Sequence, residues 1–343
     1  MTMTEKENLM RVINGLEPEW LPRMGVLFYK NDPENHKPSC INAMPSYLPP
    51  RRSKKGGRVS DFGIEYEPTA SMGGQELPIP NDFILDDITR WRDVIKAPSL
   101  EGVDWESVAK KAIAHVDRKE SAVELRLNSN FFSHVMNFMG FTEGLCALQE
   151  EPDEVLALNE YMADYFEKVA LNLVDLIKPD ICGMSDDNST ARSPFISNEM
   201  YKRLFKPFHM RMAKIAMDRN IPIDMHDCGR CEDFIEDWRD FGVKLWNPAQ
   251  ISNDLPGIKK KYGKSLVLVG CWDSQGPASW PWTSEEVIRQ AVRDCIDAYA
   301  PDGGFCFWGS IYGHDNDPRA KDHALWVTDE YNKYGRAFYK RLG

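Results

Sequence analysis

The sequence contains no run of about 20 apolar residues, which is the length that a membrane-spanning helix needs. The N-terminal stretch MTMTEKENLMRVINGLEP is charged and amphipathic, and it lacks the apolar segment of a secretory signal. These two absences argue against a membrane protein and against an exported protein. We therefore expect a cytoplasmic location.

Cysteine is too sparse for a disulfide framework, with eight residues in a chain of 343. Cytoplasmic thiols stay reduced, and a reduced cysteine can bind a metal ion as its thiolate. Positive charge is also in deficit, because 42 basic residues stand against 53 acidic ones and the net charge is −11. Phosphate binding needs a basic face, so the composition argues against nucleic acid and favours small molecules or other proteins as partners.

The sequence has no internal repeat and no low-complexity tract. Instead, short apolar runs alternate with turn residues and longer helical patterns. Eight strands that alternate with helices predict an α/β fold, a single (β/α)8 TIM barrel that spans residues 1–343. The predicted strands are Gly25–Tyr29, Phe62–Tyr66, Ala122–Leu127, Ile181–Ser185, Ile221–His226, Val243–Asn247, Leu266–Cys271 and Gly304–Trp308.

The segment 36–82 is too long and too rich in proline, glycine and charge for a simple connection. We interpret it as an elaborated loop region over the barrel mouth. It contains the basic run RRSKKGGR, at Arg51–Arg58. Such a run is typical of a solvated loop, and the alternatives are a lid or a docking surface for a partner.

The fifth predicted strand ends in His226, and Cys228 and Gly229 follow it closely. Residues i and i+2 of an extended segment point the same way, so His226 and Cys228 can converge on one ion, while Gly229 permits a sharp turn. Chemistry in a barrel collects at the C-terminal ends of the strands, and Cys306 in the last strand can supply a third ligand. One nitrogen and two thiolates form a zinc-type set with an open fourth position.

Other interpretations of these cysteines stay open. Cys228 and Cys231 form a CxxC pair, which is typical of a zinc knuckle or a redox pair, although no second CxxC is present. Cys271 is either a reserve ligand or a small buried hydrophobe. A fourth protein ligand such as Cys231 or Cys271 would predict a structural zinc in a non-catalytic barrel. The plainest alternative is a core cysteine beside a hydrogen-bonded histidine.

Further candidate residues follow the other predicted strands. Asp186 and Asp187 follow the fourth strand, where they can orient a substrate, donate a proton, help to hold the metal or cap the next helix. Aromatic and polar side chains at the remaining strand ends predict a flat, apolar pocket for an aromatic substrate. These substrate-binding candidates are Phe28, Tyr29, Asn247, Trp272, Trp308 and Tyr312.

Taken together, the segments resemble the uroporphyrinogen decarboxylase superfamily over nearly the whole chain. The matching stretches are EPEWLP, DFGIEYE, SDDNSTARSPFISNEMYKRLFKPF, MHDCGRCEDFIEDWRDFGVKLWNPAQ and APDGGFCFWGS. The resemblance implies a distorted (β/α)8 barrel, which agrees with the predicted strands. The decarboxylases bind a tetracarboxylate porphyrinogen and carry a signature R-Q-A-G-R after the first strand, where this sequence reads RMGVLFYKND. Without clustered arginines we do not expect porphyrinogen decarboxylation.

The other branch of the superfamily contains cobalamin-dependent methyltransferases, which bind zinc through H-x-C and a distant cysteine in the last strand. His226, Cys228 and Cys306 match that pattern in type, order and approximate spacing. Within this branch the chain is most similar to the methoxyarene (veratrol-type) O-demethylase methyltransferases of anaerobic one-carbon metabolism. The resemblance implies Zn²⁺, a separate corrinoid (cobalamin-carrying) partner protein and a methoxylated aromatic substrate.

The motif does not separate this activity from related ones. A methylcorrinoid:thiol methyltransferase of the coenzyme M type and a methylamine methyltransferase remain alternatives, followed by a decarboxylase or a non-catalytic zinc-binding barrel. For ether cleavage, zinc would act on the ether oxygen and Asp186 or Asp187 would protonate the leaving group. The sulfonate of coenzyme M would need a cation, and only Arg192 is a candidate after strands four to eight. A homodimer is one expectation for the oligomeric state.

Overall fold

Seven parallel strands form one curled sheet in the computed structural model, which describes residues 3–25, 32, 34–72, 74–309 and 317–342. The order of the strands in the sheet is β1-β4-β5-β6-β7-β8-β9. Two further strands, β2 and β3, form a separate antiparallel hairpin. The strands are β1 (Cys40–Asn42), β2 (Tyr66–Thr69), β3 (Gln75–Pro78), β4 (Ala122–Arg126), β5 (Ile181–Ser185), β6 (Ile223–His226), β7 (Val243–Ala249), β8 (Val267–Gly270) and β9 (Phe305–Phe307).

Helices separate most of the parallel strands, as the alternating pattern predicts. None of the described helices combines the length and the apolarity that crossing a membrane requires. The helices are α1 (Glu5–Ile13), α2 (Trp91–Val94), α3 (Trp105–Ala112), α4 (Phe131–Met139), α5 (Phe141–Glu150), α6 (Pro152–Ile177), α7 (Asn198–Leu204), α8 (Lys206–Met217), α9 (Ile235–Asp240), α10 (Leu255–Tyr262), α11 (Glu285–Tyr299), α12 (Arg319–Glu330) and α13 (Phe338–Leu342).

Apolar side chains fill both faces of the curled sheet. A large cluster packs between the sheet and the helices, and α6 contributes much of it. A second cluster lies inside the curl and includes Ile181, Leu245 and Cys306, with Leu9 and Val12 of α1 against it. Such two-sided burial is typical of parallel sheets, and it explains why the strands appear in the sequence as short continuous apolar runs.

Six of the eight predicted barrel strands are present, with ends shifted by a few residues. The second prediction, Phe62–Tyr66, is wrong. Tyr66 begins the hairpin strand β2, and the parallel strand beside β4 is Cys40–Asn42, within the segment predicted as a loop. Phe62 is buried because its ring packs on α4 and α6, against Phe138 and Phe166, and not because it belongs to the sheet. Ile64 lies in the same apolar cluster.

The free edge of β9 pairs with the chain near the first predicted strand. Phe307 N–H donates to the Pro22 carbonyl (2.9 Å) and Met24 N–H donates to the Phe307 carbonyl (3.0 Å). Most of the predicted strand Gly25–Tyr29 lies outside the described residues. Within the described part of the chain, the sheet is therefore a curled half-barrel with an eighth segment bridged to β9, and a complete eight-stranded barrel is not shown.

Candidate functional site

His226 and Cys228 lie together at the C-terminal end of β6. His226 Nε2 is 3.5 Å from Cys228 Sγ and 3.9 Å from a carboxylate oxygen of Asp187, which follows β5. The ligand atoms of these three residues lie within 4.8 Å of one another. We call Asp187, His226 and Cys228 the mouth triad. It combines imidazole, thiol and carboxylate, a donor set that fits a divalent transition metal such as Zn²⁺.

Hydrogen bonds fix the orientation of the His226 ring. Asn247 Nδ2 donates to Asp224 Oδ2 (2.5 Å), so Asn247 Oδ1 faces His226 Nδ1 at 2.8 Å. This oxygen therefore accepts a hydrogen bond from Nδ1–H. This places the hydrogen on Nδ1 and leaves the Nε2 lone pair facing Cys228. Outer contacts of this kind commonly orient metal-binding histidines. Asn247 was predicted to bind substrate, whereas its side chain orients His226.

Burial determines the charge states of the triad in the free protein. Burial lowers the pKa of His226, so the imidazole is neutral at neutral pH. Burial, and then the nearby Asp187 and Asp227 carboxylates, raise the pKa of the Cys228 thiol. The Asp187 side chain is 55% exposed; partial desolvation raises its pKa, His226 opposes that shift, and Asp186 adds to it. Binding of a metal ion would therefore displace the Cys228 proton.

The loop that carries Cys228 depends on Gly229. Its φ is +89°, and an added Cβ would lie 2.6 Å from the Thr190 carbonyl oxygen and 2.7 Å from that of Ser189. The buried Asp227 carboxylate accepts the Asn188 backbone N–H (3.0 Å) and its side-chain amide (2.7 Å). Glycine thus lets two loops approach closely and holds Cys228 beside Asp187.

Cys306, the predicted third ligand, is not part of the mouth triad. It is fully buried in β9 and belongs to the apolar cluster inside the curl. Burial, and then the Asp224 carboxylate, raise the pKa of the Cys306 thiol. Cys306 is therefore close enough to Asp224 for their charges to interact. Its role as a metal ligand stays a prediction.

An acidic pair lies in the interior beneath the triad. Burial and the Glu124 carboxylate raise the pKa of Asp224 to about 7, and burial raises the pKa of Glu124. Arg126 at the end of β4 forms an ion pair with Glu124 (3.3 Å). Gly183 makes the room for this pair, because an added Cβ would lie 2.2 Å from a Glu124 oxygen.

Asp186 does not face the triad, although it is adjacent to Asp187 in sequence. Its carboxylate accepts the backbone N–H groups of Phe132 and Ser133 (both 2.9 Å), in the first turn of α4. It also accepts the Ser133 hydroxyl (2.7 Å) and lies 3.3 Å from His209 Nε2. The side chain is fully buried. The capping alternative named the next helix, but Asp186 bonds to the first turn of α4, which precedes β5 in the chain. The carboxyl beside His226 and Cys228 is that of Asp187, and the catalytic role predicted for the two residues stays a prediction.

Among the described residues, the remaining substrate-binding candidates are Trp272 and Trp308, and they make different contacts. Trp272 lines a separate depression beside α11 and packs at a right angle on Phe307. Trp308 packs on the backbone of Gly25, where an added Cβ would lie 2.6 Å from the indole ring. Phe28, Tyr29 and Tyr312 lie outside the described residues. Their proposed contact with substrate stays a prediction.

The alternative interpretations of the other cysteines gain little support. Cys231 is fully buried and its thiol donates to the Asp227 carbonyl (3.3 Å). Cys271 is also buried, and among the described residues neither cysteine belongs to a group that could hold a metal. Both behave as small buried hydrophobes.

The main cavity adjoins the triad at Asp187 and lies between the 36–82 segment and α4. Its volume is about 640 Å³. Aromatic rings line much of it, and they are Tyr47, Tyr66, Phe132, Phe141 and Phe166. An aromatic-lined pocket was predicted, but these residues were not. They are distant from the strand ends in sequence, and the only signal for them was the unusual length and composition of the 36–82 segment.

Comparisons with known proteins agree with this fold. A family model described as uroporphyrinogen decarboxylase (URO-D) matches residues 132–310, slightly more than half of the chain and including the whole triad. No curated protein sequence matches the chain.

Two solved structures illustrate the fold. A methyltransferase from Methanosarcina mazei has a TM-score of 0.63 and 14% identity, over 96% of this chain and 100% of that one. A B12-independent methionine synthase from Shewanella sp. W3-18-1, in complex with selenomethionine, has a TM-score of 0.42 and 7% identity, over 81% of this chain and 75% of that one. The first likeness shows the fold alone, and the second is too low to support an argument.

Proposed function

We propose that this chain, which belongs to the uroporphyrinogen decarboxylase family, is a zinc-dependent methyltransferase. It would move a methyl group from a methoxylated aromatic compound to a separate corrinoid protein. The observation that carries this proposal is the mouth triad, a metal-type donor set whose Asp187 also lines an aromatic-lined cavity. The fold shared with a methyltransferase from Methanosarcina mazei is consistent with it.

His226 and Cys228 would hold the zinc ion, with Asp187 or Cys306 as the third protein ligand. Bound there, zinc would supply a Lewis acid for the ether oxygen, which makes the phenolate a better leaving group. The neutral imidazole of His226 suits this role, because its Nε2 lone pair faces Cys228 Sγ. Its Nδ1–H donates to Asn247 Oδ1.

The chain's own share is to bind and align the ether. An aromatic ring bound in this cavity would lie beside Asp187, with its methoxy group towards the triad. In the balanced reaction, the methyl group leaves the ether oxygen for the reduced corrinoid, and the oxygen gains a proton to become a phenol. If Cys306 completes the metal site, Asp187 is free to donate that proton.

The alternatives differ in what the cavity should contain. A porphyrinogen with several carboxylates needs clustered cations, whereas the charged residues that line the cavity are Asp61, Glu76, Asp187 and a single arginine, Arg58. This disfavours the decarboxylase. A panel of methyl donors distinguishes an ether substrate from a thiol of the coenzyme M type and from a methylamine.

The test is incubation of the zinc-loaded protein with a reduced corrinoid protein and a panel of methyl donors. We expect the absorbance of the methylated corrinoid to appear with methoxybenzenes and not with methylamines, methanol or methylated thiols. The matched control is the Cys228→Ser variant, which should give no absorbance change with any donor. A response to methylamines or thiols alone would overturn the substrate assignment.

A further inference from the structure

The cavity wall formed by the 36–82 segment, which we call the distal wall, contains a charged cluster that the proposed reaction does not use. Arg58 stacks on the Tyr66 ring, with its guanidinium carbon 3.7 Å from the ring centroid. Its Nε is also 3.5 Å from a Glu76 carboxylate oxygen. The Glu76 carboxylate and the Tyr66 ring occupy the Nε edge and one face of the Arg58 guanidinium, so they compete with an anionic ligand for this side chain, which is 55% exposed.

Asp61 adds a second carboxylate to the same wall. Its Oδ2 accepts the hydroxyl groups of Tyr47 (2.6 Å) and Tyr165 (3.0 Å). With Glu76, the lining residues of the distal wall carry two carboxylates against one guanidinium, a net charge of −1 among these three residues. Arg51 does not line the cavity, and its guanidinium donates to the backbone carbonyls of Ser60 and Asp61. A bound metal ion would offset Asp187 and Cys228 but would leave this distal charge unchanged.

The cavity wall also presents hydrogen-bond acceptors. The Tyr47 and Tyr165 hydroxyl groups both donate to Asp61 Oδ2, so the other carboxylate oxygen, Oδ1, can accept a further hydrogen bond. His134 lines the cavity as well, and its Nδ1 lies 2.6 Å from the Asn130 carbonyl, which makes Nδ1 the donor and Nε2 an acceptor. A ligand that matches this wall carries a hydrogen-bond donor and no negative charge.

We propose that the cavity selects aromatic rings bearing a hydroxyl group and excludes rings bearing a carboxylate. Resting on the proposed function, this assigns the substrate class as uncharged methoxyphenols and not methoxybenzoates. Arg126, another cation near the triad, does not change this result, because it pairs with Glu124 and does not line the cavity. The net negative distal wall repels a carboxylate, while the acceptors hold a phenol hydroxyl.

The test measures binding of two ligands that have no methyl group to transfer, catechol and benzoate, by calorimetry at low salt. We expect catechol to bind at least about tenfold more tightly than benzoate, since like charges within several ångströms interact by roughly that factor near a protein surface. Glu76→Gln removes one distal charge and frees Arg58, so it should narrow the difference severalfold, and Asp61→Asn should do the same.

The matched control is Glu67→Gln, an equal charge change on the same hairpin at a residue that does not line the cavity. It should leave the preference unchanged. Equal or tighter binding of benzoate by the wild-type protein would overturn the inference, as would an equal effect of Glu67→Gln and Glu76→Gln. If phenyltrimethylammonium bound more tightly than catechol, the inference would also be overturned, and the ligand class would be cationic aromatic compounds instead of phenols.

Failure of the proposed function gives a different result. In that case no methoxyarene would methylate the corrinoid, whereas the preference of the cavity for catechol over benzoate would persist in the binding measurement.

Discussion

His226 and Cys228 alone would give the proposed zinc two protein ligands, whereas catalytic zinc sites usually have three. Asp187 completes the mouth triad with all ligand atoms within 4.8 Å, whereas Cys306 is the ligand implied by the family resemblance and is buried inside the curl. The two candidates differ in chemistry, since a thiolate binds zinc more tightly than a carboxylate.

Single substitutions separate these candidates. We expect His226→Ala and Cys228→Ser to retain little zinc after dialysis, as measured by metal analysis of the purified protein. Whichever of Asp187→Asn and Cys306→Ser also loses the metal identifies the third ligand. Cys271→Ser is the control, because Cys271 is a buried thiol outside the triad. Full zinc retention by Cys228→Ser would contradict the metal site itself.

The buried Asp224 predicts a dependence of stability on pH. Its pKa is raised from 3.8 to about 7 by burial and by Glu124. Between these values the folded protein holds a proton that the unfolded chain has lost, so stability falls as the pH rises through this window. Asp224→Asn removes this titration and can still accept the hydrogen bond from Asn247.

We expect Asp224→Asn to be more stable than the wild-type protein at pH 8 by roughly 1–4 kcal/mol, because each tenfold change in proton affinity corresponds to about 1.4 kcal/mol. The difference should shrink towards zero near pH 4. Urea unfolding in the presence of a chelator at both pH values provides the measurement. A difference that is the same at both, or a variant less stable at pH 8, would contradict the raised pKa.

At the scale of secondary-structure elements, the β6 end and its loop form the least tolerant part of the site. Gly229→Ala would force a Cβ to within 2.6 Å of a carbonyl oxygen at a φ of +89°. We expect a loss of roughly 1–3 kcal/mol in the free energy of unfolding, together with a loss of zinc.

Gly102→Ala is the matched control for this substitution. Its φ is +75°, but no atom lies within 4 Å of an added Cβ, so it tests backbone strain without the steric clash. It should cost less stability than Gly229→Ala and leave zinc binding unchanged. Equal effects of the two variants on zinc would show that the close approach of the loops does not position Cys228.

Most of the sheet could be predicted from the sequence because buried parallel strands are continuous apolar runs, as in VLVG of β8. The missed strand β1 has only three residues, Cys40–Asn42, and no periodic pattern to reveal it. Residues 198–217 form two helices, α7 and α8, with Phe205 between them. Pro207 in the first turn of α8 marks that break.

The site was predictable only where it is local in sequence. His226 ends β6 and Cys228 lies two residues further on, in the loop that follows, so their spacing alone brings them together. The cavity is formed instead by Tyr47, Tyr66 and the helices α4 and α6, which meet only in the folded chain. Asp186 and Asp187 have the same chemistry and adjacent positions. Only the contacts of Asp186 with α4 distinguish them.

At the scale of the whole molecule, we expect the fold not to depend on a metal. Neither apolar cluster includes a residue of the triad, and the triad lies at the ends of β5 and β6, not between packed elements. Removing a zinc ion should therefore leave the sheet and helices intact, in contrast to small domains that unfold without their metal.

We expect the protein treated with a chelator to keep its far-ultraviolet circular dichroism and a cooperative unfolding transition. Its loss of stability should equal only the free energy of metal binding, about 2.7 kcal/mol when free zinc is at 100 times its dissociation constant. His226→Ala should show no response to the chelator, because it has no bound zinc to lose. Collapse of the circular dichroism spectrum on chelation would instead identify a structural zinc, and with it a fourth protein ligand that closes the position a substrate oxygen needs.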